Sequence, residues 1–390
     1  MSLYETKIYG ANGIATVFTD NLDQASRGQI QLMMDSELFS GCQVRIQPDV
    51  HAGKGSVIGF TSTIRDKLCP NIVGVDLSCG VTLDLVETKR GIDFSALDKV
   101  IREHVPAGFA VRKELYKSLR NGNSKLGSLY AEIDDDLREV SRRVGIDPDR
   151  ALNSIGSMGS GNHFCELVHS EEKGYSLHIH SGSRGLGAKI AEYHQAKAYR
   201  IHDAGGFPSG TPKVLSWLTG DEAGQYKKDT ILAQKYSSLN RAVMADAISK
   251  AMGWNLVSHL ESIHNFIDFD AGIIRKGAIS AQEGEMLVIP ISMAEGVILG
   301  RGKGNPEWNY SAPHGAGRLL ARGEAKRQLK MEDFKESMTG VWSSCVGVGT
   351  IDESPQAYKG SQYILDRIGD TVEVLEVVKP VYNFKAGGEE

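Results

Sequence analysis

Five short stretches each place a residue able to hold a metal or attack phosphorus within a glycine-lined turn. They are PDVHAGKG (48–55), GVDLSCG (74–80), GSGNHFCE (159–166), HIHSGSRGLG (178–187) and HGAGR (314–318). Asp76 and Cys79 stand three residues apart after an apolar run, and His163 follows Gly-Asn. His180 ends a strand-like segment, and His264 lies in ESIHNF, where a helical pattern gives way to a loop. A carboxylate, a thiolate and several imidazoles are the donors that Mn²⁺, Zn²⁺ or Fe²⁺ takes. Spacing alone does not make such a site, because these residues are dispersed. His104, His169, His194, His202 and His259 are read as packed or surface residues, and His178 as a packing neighbour of His180. His314 is the remaining candidate. The glycines after it let a ligand approach the backbone closely, and three readings stay open: a phosphate cradle at a helix start, a reactive imidazole, or a tight turn. No GxxxxGK[ST] or GxGxxG signature is present to decide between them.

The elements that must position these residues follow from pattern. Apolar runs QVRIQ, SVIGFTST, NIVGVDL and VTLDLVE read as strands within 42–86, separated by Gly- and Pro-bearing turns. Segments 94–104 and 126–144 read as amphipathic helices. Strands are expected over 163–183, 273–300 and 371–383, and the longest helix over 219–253, with Tyr226, Leu232, Tyr236, Leu239, Val243 and Met244 as a core stripe. A helix over 316–330 would carry Arg318, Arg322, Lys326 and Lys330 as one basic stripe. Strand blocks separated by helical blocks indicate an α+β fold with mixed sheets and surrounding helices, in a single large domain over 1–390.

Composition limits the function classes. The 390 residues carry a net charge of −5, which excludes a polycation built to coat nucleic acid. The five cysteines are odd in number and never form a CxxC pair, which points to reduced thiols rather than a disulfide framework. No apolar run is long enough to span a bilayer, and the N-terminus lacks a secretory pattern, so a cytoplasmic protein without membrane contact is expected.

In order along nearly the whole chain, PDVHAGKGS, GVDLSCG, GNHF-x-E, HSGSRG, the HN of ESIHNF, HGAGR and DESPQAYK resemble the blocks of the RtcB family of RNA ligases. The resemblance implies an enzyme that uses GTP and two Mn²⁺ ions to seal an RNA 3′-phosphate or 2′,3′-cyclic phosphate to a 5′-hydroxyl, in tRNA splicing or RNA repair. Carried over by motif, Asp76, Cys79, His163, His180 and His264 would hold the ions, with Cys79 shared. His314 would take GMP, with Gly315, Ala316 and Gly317 alongside. Asn162, Glu166, Tyr358 and Lys385 would contact the nucleotide, and Arg184 and Arg318 would meet phosphates. Apart from the resemblance, the basic stripe's place just after His314 favours RNA or phosphate contact by Arg322 and Lys326 over a merely solvated helix face.

The chain departs from the family pattern in PISMAEG (290–296), where Glu295 and Val297 stand at positions expected to line the nucleotide pocket, and it continues past Lys385. These departures resemble a specialised RNA-repair paralogue, with broken-ended RNA and a release-factor-like protein as partners, acting as monomer or homodimer. Two other readings are a Mn²⁺-dependent cyclic phosphodiesterase that does not ligate and a non-catalytic RNA-end-binding protein. The first needs no His314, and the second needs none of the cluster.

Overall fold

A computed structural model describes residues 4–89 and 91–386. Residues 1–3 and the 387–390 tail, both read above, lie outside the described residues. The fold is α+β. An eight-stranded sheet runs in the order Met286–Ser292, Gly296–Gly302, Val372–Lys385, Phe164–Ser170, Gly174–Ser181, Gly80–Glu87 and Asn255–Leu256, and Leu260–Ile263 also pairs with Gly80–Glu87. A six-stranded sheet runs Thr6–Tyr9, Ile14–Val17, Val44–His51, Ile58–Thr63, Ile273–Lys276 and Asn265–Asp268. A third, two-stranded sheet pairs Ala278–Ser280 with Ser311–Pro313.

Strand alternation explains how a polar site sits on a solid core. In GYSLHIHS (174–181), Leu177 and Ile179 enter an apolar cluster with Leu97, Ile101, Leu167 and Phe384, which leaves His178 and His180 on the other face. The helix Gly220–Met252 supplies Met244 and Ile248 to that cluster, and its whole predicted stripe is buried. The helix Phe94–His104 begins where Asp93 accepts hydrogen bonds from the Ser95 and Ala96 amides. Each fully buried Leu or Ile contributes about 1.5–3 kcal/mol. A core of this size offsets the about 1–3 kcal/mol of leaving a polar group such as His264 Nδ1 buried without a partner.

Several expected elements differ. NIVGVDL is not a strand: Pro70–Val73 is a short helix that Gly74 ends at φ 82°. Asp76 and Cys79 therefore lie in the turn entering Gly80–Glu87. The 126–144 segment is two helices, Lys125–Ala131 and Asp134–Val144, joined through buried Ile133. His264 joins two strands, Leu260–Ile263 and Asn265–Asp268, rather than leaving a helix. The 316–330 helix shrinks to Arg322–Gln328, and Lys330 only caps the next helix, Met331–Ser337. Arg318 instead forms an isolated bridge with Tyr358, so the basic stripe does not form and HGAG does not start a helix. Among the described residues, no helix is long and apolar enough to cross a membrane.

Candidate active site

Antiparallel pairing brings the dispersed donors to one end of the large sheet. Cys79 immediately precedes Gly80–Glu87 and His163 immediately precedes Phe164–Ser170. His180 lies at the end of Gly174–Ser181, and His264 immediately follows Leu260–Ile263. Gly80 pairs with Ser181 and with Ile263, and Phe164 pairs with His180, so two strand starts meet two strand ends. A Cβ on Gly182 would come within 2.8 Å of Asp76 Oδ1, so a larger residue here would have to displace the Asp76 carboxylate.

The donors converge. Cys79 Sγ lies 3.3 Å from His163 Nε2 and 3.1 Å from His180 Nε2, and His180 Nε2 lies 3.3 Å from His264 Nε2. Ligands 2.0–2.3 Å from a tetrahedral ion stand about 3.4 Å apart, so this spacing suits a shared ion. Cys79, His163 and His180 are buried together in an arrangement able to hold a metal ion. Their outer nitrogens are fixed: His163 Nδ1 meets Met158 O at 2.9 Å, and His180 Nδ1 meets Asn162 O at 3.2 Å. An Nδ1–H donated to a carbonyl leaves the Nε2 lone pair free for a ligand. Burial drives the His163 pKa down to about 4 and holds His180 and His264 well below the usual range. Burial first, then Asp76, pushes the Cys79 thiol up. The imidazoles are therefore neutral, as ligands must be, and an arriving cation displaces the thiol proton.

His314 follows the strand Ser311–Pro313, and this strand connects it to the cluster. Pro313 pairs with Ala278, Ala278 N donates to His264 O at 3.2 Å, and the His264 and His314 ring centroids are 4.9 Å apart. His314 Nδ1 lies 2.6 Å from Asp49 Oδ2. The buried Asp49 carboxylate accepts a hydrogen bond from Nδ1–H, so the neutral ring carries its proton on Nδ1 and its lone pair on Nε2. His51 lines the same cavity, with burial lowering its pKa to about 4.

The cavity, about 390 Å³, extends from His264 and His314 to Asn162, Glu166, Tyr358 and Lys385, and also touches Gly315, Ala316 and Gly317. Glu166 is buried between His178 Nδ1 at 3.2 Å and Asn383 Nδ2 at 2.7 Å. His178, read above as a packing neighbour of His180, makes its hydrogen bond to Glu166. Tyr358 donates its hydroxyl to Glu353 Oε2 at 2.6 Å, and Lys385 Nζ meets the same oxygen at 2.7 Å.

The basic residues fare differently from expectation. Arg318 lines the cavity, but its donors go to Glu353, Leu320 O, Tyr358 and Asp352 O. Arg322 also lines it, paired with Asp352 and Glu353. Arg184 does not reach the cavity lining; it is held by Ser157 Oγ and Gly108 O. Lys326 is exposed on its helix, outside the cavity. Glu295 and Val297 do not line the cavity either. Glu295 accepts from Ser361 N at 2.8 Å, at the start of the helix Ser361–Ile368, and Val297 is core. Other residues of PISMAEG, namely Pro290, Ile291, Ser292, Met293 and Gly296, do line the cavity, so the departing stretch forms part of the pocket wall while Glu295 serves a helix start.

Sequence reasoning missed Asp49, Glu353 and Asn383 as site residues. The first two lay inside stretches already singled out, PDVHAGKG and DESPQAYK. Asn383 carried no local signal, because only its register opposite Glu166 brings it in.

Residues 34–386 match the family model described as tRNA-splicing ligase RtcB. The chain is 29% identical to the RNA-splicing ligase RtcB of Escherichia coli K12, over 87% of this chain and 88% of that one. It is 26% identical to the RNA-splicing ligase RtcB2 of Escherichia coli ATCC 25922, over 97% of both chains. Identity to the tRNA-splicing ligase RtcB of Thermococcus kodakarensis is 26%, over 80% of this chain and 81% of that one.

Proposed function

Because this chain belongs to the RtcB family and is by that membership an RNA ligase, we propose that it joins RNA 3′-phosphate or 2′,3′-cyclic phosphate ends to 5′-hydroxyl ends through GMP carried on His314. The observation that carries the reading is the free Nε2 of His314, with Nδ1 tied to Asp49 and the ring beside His264. Asp76, Cys79, His163, His180 and His264 would hold Mn²⁺, which supplies positive charge and Lewis acidity at phosphate oxygens.

The chain's own residues account for the rest. The Nε2 lone pair attacks the α-phosphorus of GTP; a P–N bond forms, the bond to the bridging oxygen breaks, and pyrophosphate leaves. Throughout, Nδ1–H stays on His314, and the Asp49 carboxylate stabilises the positive charge that grows on the ring. GMP then passes to the RNA 3′-phosphate, restoring the free imidazole. The 5′-hydroxyl oxygen attacks that activated end, the new phosphodiester forms, and GMP departs. Glu166, buried and held from two sides, offers a fixed acceptor to the guanine base, and Asn162 borders both the nucleotide and His180. A cyclic-phosphate end must first be opened by water.

The test is incubation with Mn²⁺ and α-labelled GTP, followed by acid and hydroxylamine. The reading expects a covalent, acid-labile label that is absent in His314→Ala. No label with any nucleotide, in protein shown to hold Mn²⁺, overturns it. Joining of an RNA with a cyclic phosphate to one with a 5′-hydroxyl then separates ligation from simple ring opening.

A further inference from the structure

In the cavity wall, one carboxylate gathers four cavity-lining side chains. Glu353 Oε2 takes Tyr358 OH at 2.6 Å and Lys385 Nζ at 2.7 Å, while Oε1 takes Arg322 Nη1 at 2.6 Å and Arg318 Nη1 at 3.2 Å. Glu353 is only 2% exposed, and the donors approach it from three segments far apart in the chain. Asp352 adds a second anion, with Oδ2 2.8 Å from Arg322 Nη1 and its carbonyl bonded to Arg318 Nη2. Two arginines and one lysine here face two carboxylates.

Such a group of cations in a cavity that takes a nucleotide raises a problem of orientation. Free guanidinium and ammonium groups bind phosphate more strongly than they bind a purine, because the hydrogen bonds are charge-assisted at both partners. Left unpaired, Lys385, Arg318 and Arg322 would compete with the His314 side of the cavity for the triphosphate. Glu353 neutralises part of that attraction and takes the donors that point inward. The Tyr358 hydroxyl is used both ways, donating to Glu353 and accepting from Arg318 Nη1 at 2.9 Å, so Tyr358 presents ring rather than hydroxyl to a ligand. An aromatic ring with balanced charges around it is a surface for a base.

We infer that Glu353 is a positioning residue that keeps Lys385, Arg318 and Tyr358 facing the base and thereby sets the direction in which GTP enters the cavity. The inference rests on the reading of His314 as the GMP acceptor. It makes Glu353 act through its neighbours, without touching the reacting phosphorus.

The test uses the full-length protein loaded with Mn²⁺ and follows the rate of labelling by α-labelled GTP, with guanosine and inorganic tripolyphosphate as competitors. Glu353→Gln keeps the shape and removes the charge. Labelling should slow at least about 10-fold, guanosine should compete more weakly, and tripolyphosphate should compete more strongly, by about 5-fold or more. A role confined to stability would weaken both competitors together, and that result overturns the inference, as do unchanged rate and competition. Lys385→Met in the Glu353→Gln background should cancel the gain in tripolyphosphate competition. If Glu353→Gln does not fold, Lys385→Met alone decides: guanosine should weaken and tripolyphosphate stay unchanged, whereas weaker tripolyphosphate competition overturns the inference. Wild-type protein that takes no label overturns the His314 reading itself. A labelled wild type with an unaltered Glu353→Gln variant overturns only the role of Glu353.

Discussion

Asp49 Oδ2 lies 2.6 Å from His314 Nδ1 and 3.2 Å from the His314 amide nitrogen, so one buried carboxylate fixes both the ring and the backbone that carries it. The proton belongs on Nδ1 and the lone pair on Nε2. Asp49→Asn can present an N–H where an acceptor is needed, which favours the other tautomer. Labelling by GTP should fall by about 10²- to 10⁴-fold, as when the orienting aspartate of a serine-protease triad is replaced. Single-turnover labelling measures the fall, and bound metal measured on the same sample should be unchanged. Wild-type labelling by Asp49→Asn would remove the basis for this tautomer.

Cys79 stands between His163 and His180, so replacing it removes the donor both histidines share. Cys79→Ala should lower Mn²⁺ affinity by more than the about 10- to 100-fold typical of losing a group that only supports a ligand. His178→Ala is the control. It contacts Glu166 and not the donor cluster, so metal content should hold while labelling by GTP weakens. Equilibrium dialysis with metal analysis reads both. Full metal retention in Cys79→Ala would show that the ion binds elsewhere.

Much of this site was legible as residue types, and little of it as geometry. The metal donors stood out because thiol, carboxylate and imidazole recur in glycine-lined turns. Their meeting depends on antiparallel register, such as Phe164 opposite His180, which no local pattern encodes. Asp49 and His314 are 265 residues apart, and only the packing of Val44–His51 beside the Ser311–Pro313 strand joins them. The 316–330 helix failed for a physical reason. Arg318, Arg322 and Lys326 copy a helical period, but Gly317 sits at φ 77° and Leu319 N bonds to Ala357 O, so tertiary contacts outweigh local propensity. In CPNIVG, Pro at the first turn and a following Gly were helix signals, overridden in the strand reading by β-branched Ile72 and Val73.

Glu353 also predicts acid sensitivity. Burial alone would raise its pKa, but Lys385 and Arg322 outweigh burial and bring it down to about 2, against 4.5 for a free glutamate. A depressed carboxylate stabilises the fold fully above its unfolded value, and that contribution is lost as pH falls through the folded one. The stability difference between wild type and Glu353→Gln, of order 3 kcal/mol at most from this shift, should therefore hold from pH 7 to about 5. It should then shrink between about pH 4.5 and 2. Urea unfolding across that range checks it. A difference independent of pH would mean that the carboxylate charge contributes nothing to stability.

The two glycines after His314 should differ in tolerance. A Cβ on Gly317 would lie 2.1 Å from Asp49 O, and φ there is 77°, a conformation that costs an L side chain about 1–3 kcal/mol. Gly317→Ala must therefore push against the residue that orients His314. A Cβ on Gly315 meets only Pro290 O, at 3.1 Å, with no positive φ to resist it. Labelling by GTP should drop at least about 10-fold in Gly317→Ala, with a lower melting temperature and unchanged Mn²⁺ content, because the metal donors belong to other segments. Gly315→Ala should stay within about threefold of wild type, whereas Gly315→Leu, projecting into the cavity that Gly315 lines, should block labelling. Equal effects of the two alanine substitutions, or loss of metal in either, would break the link drawn between the Gly317 turn and Asp49.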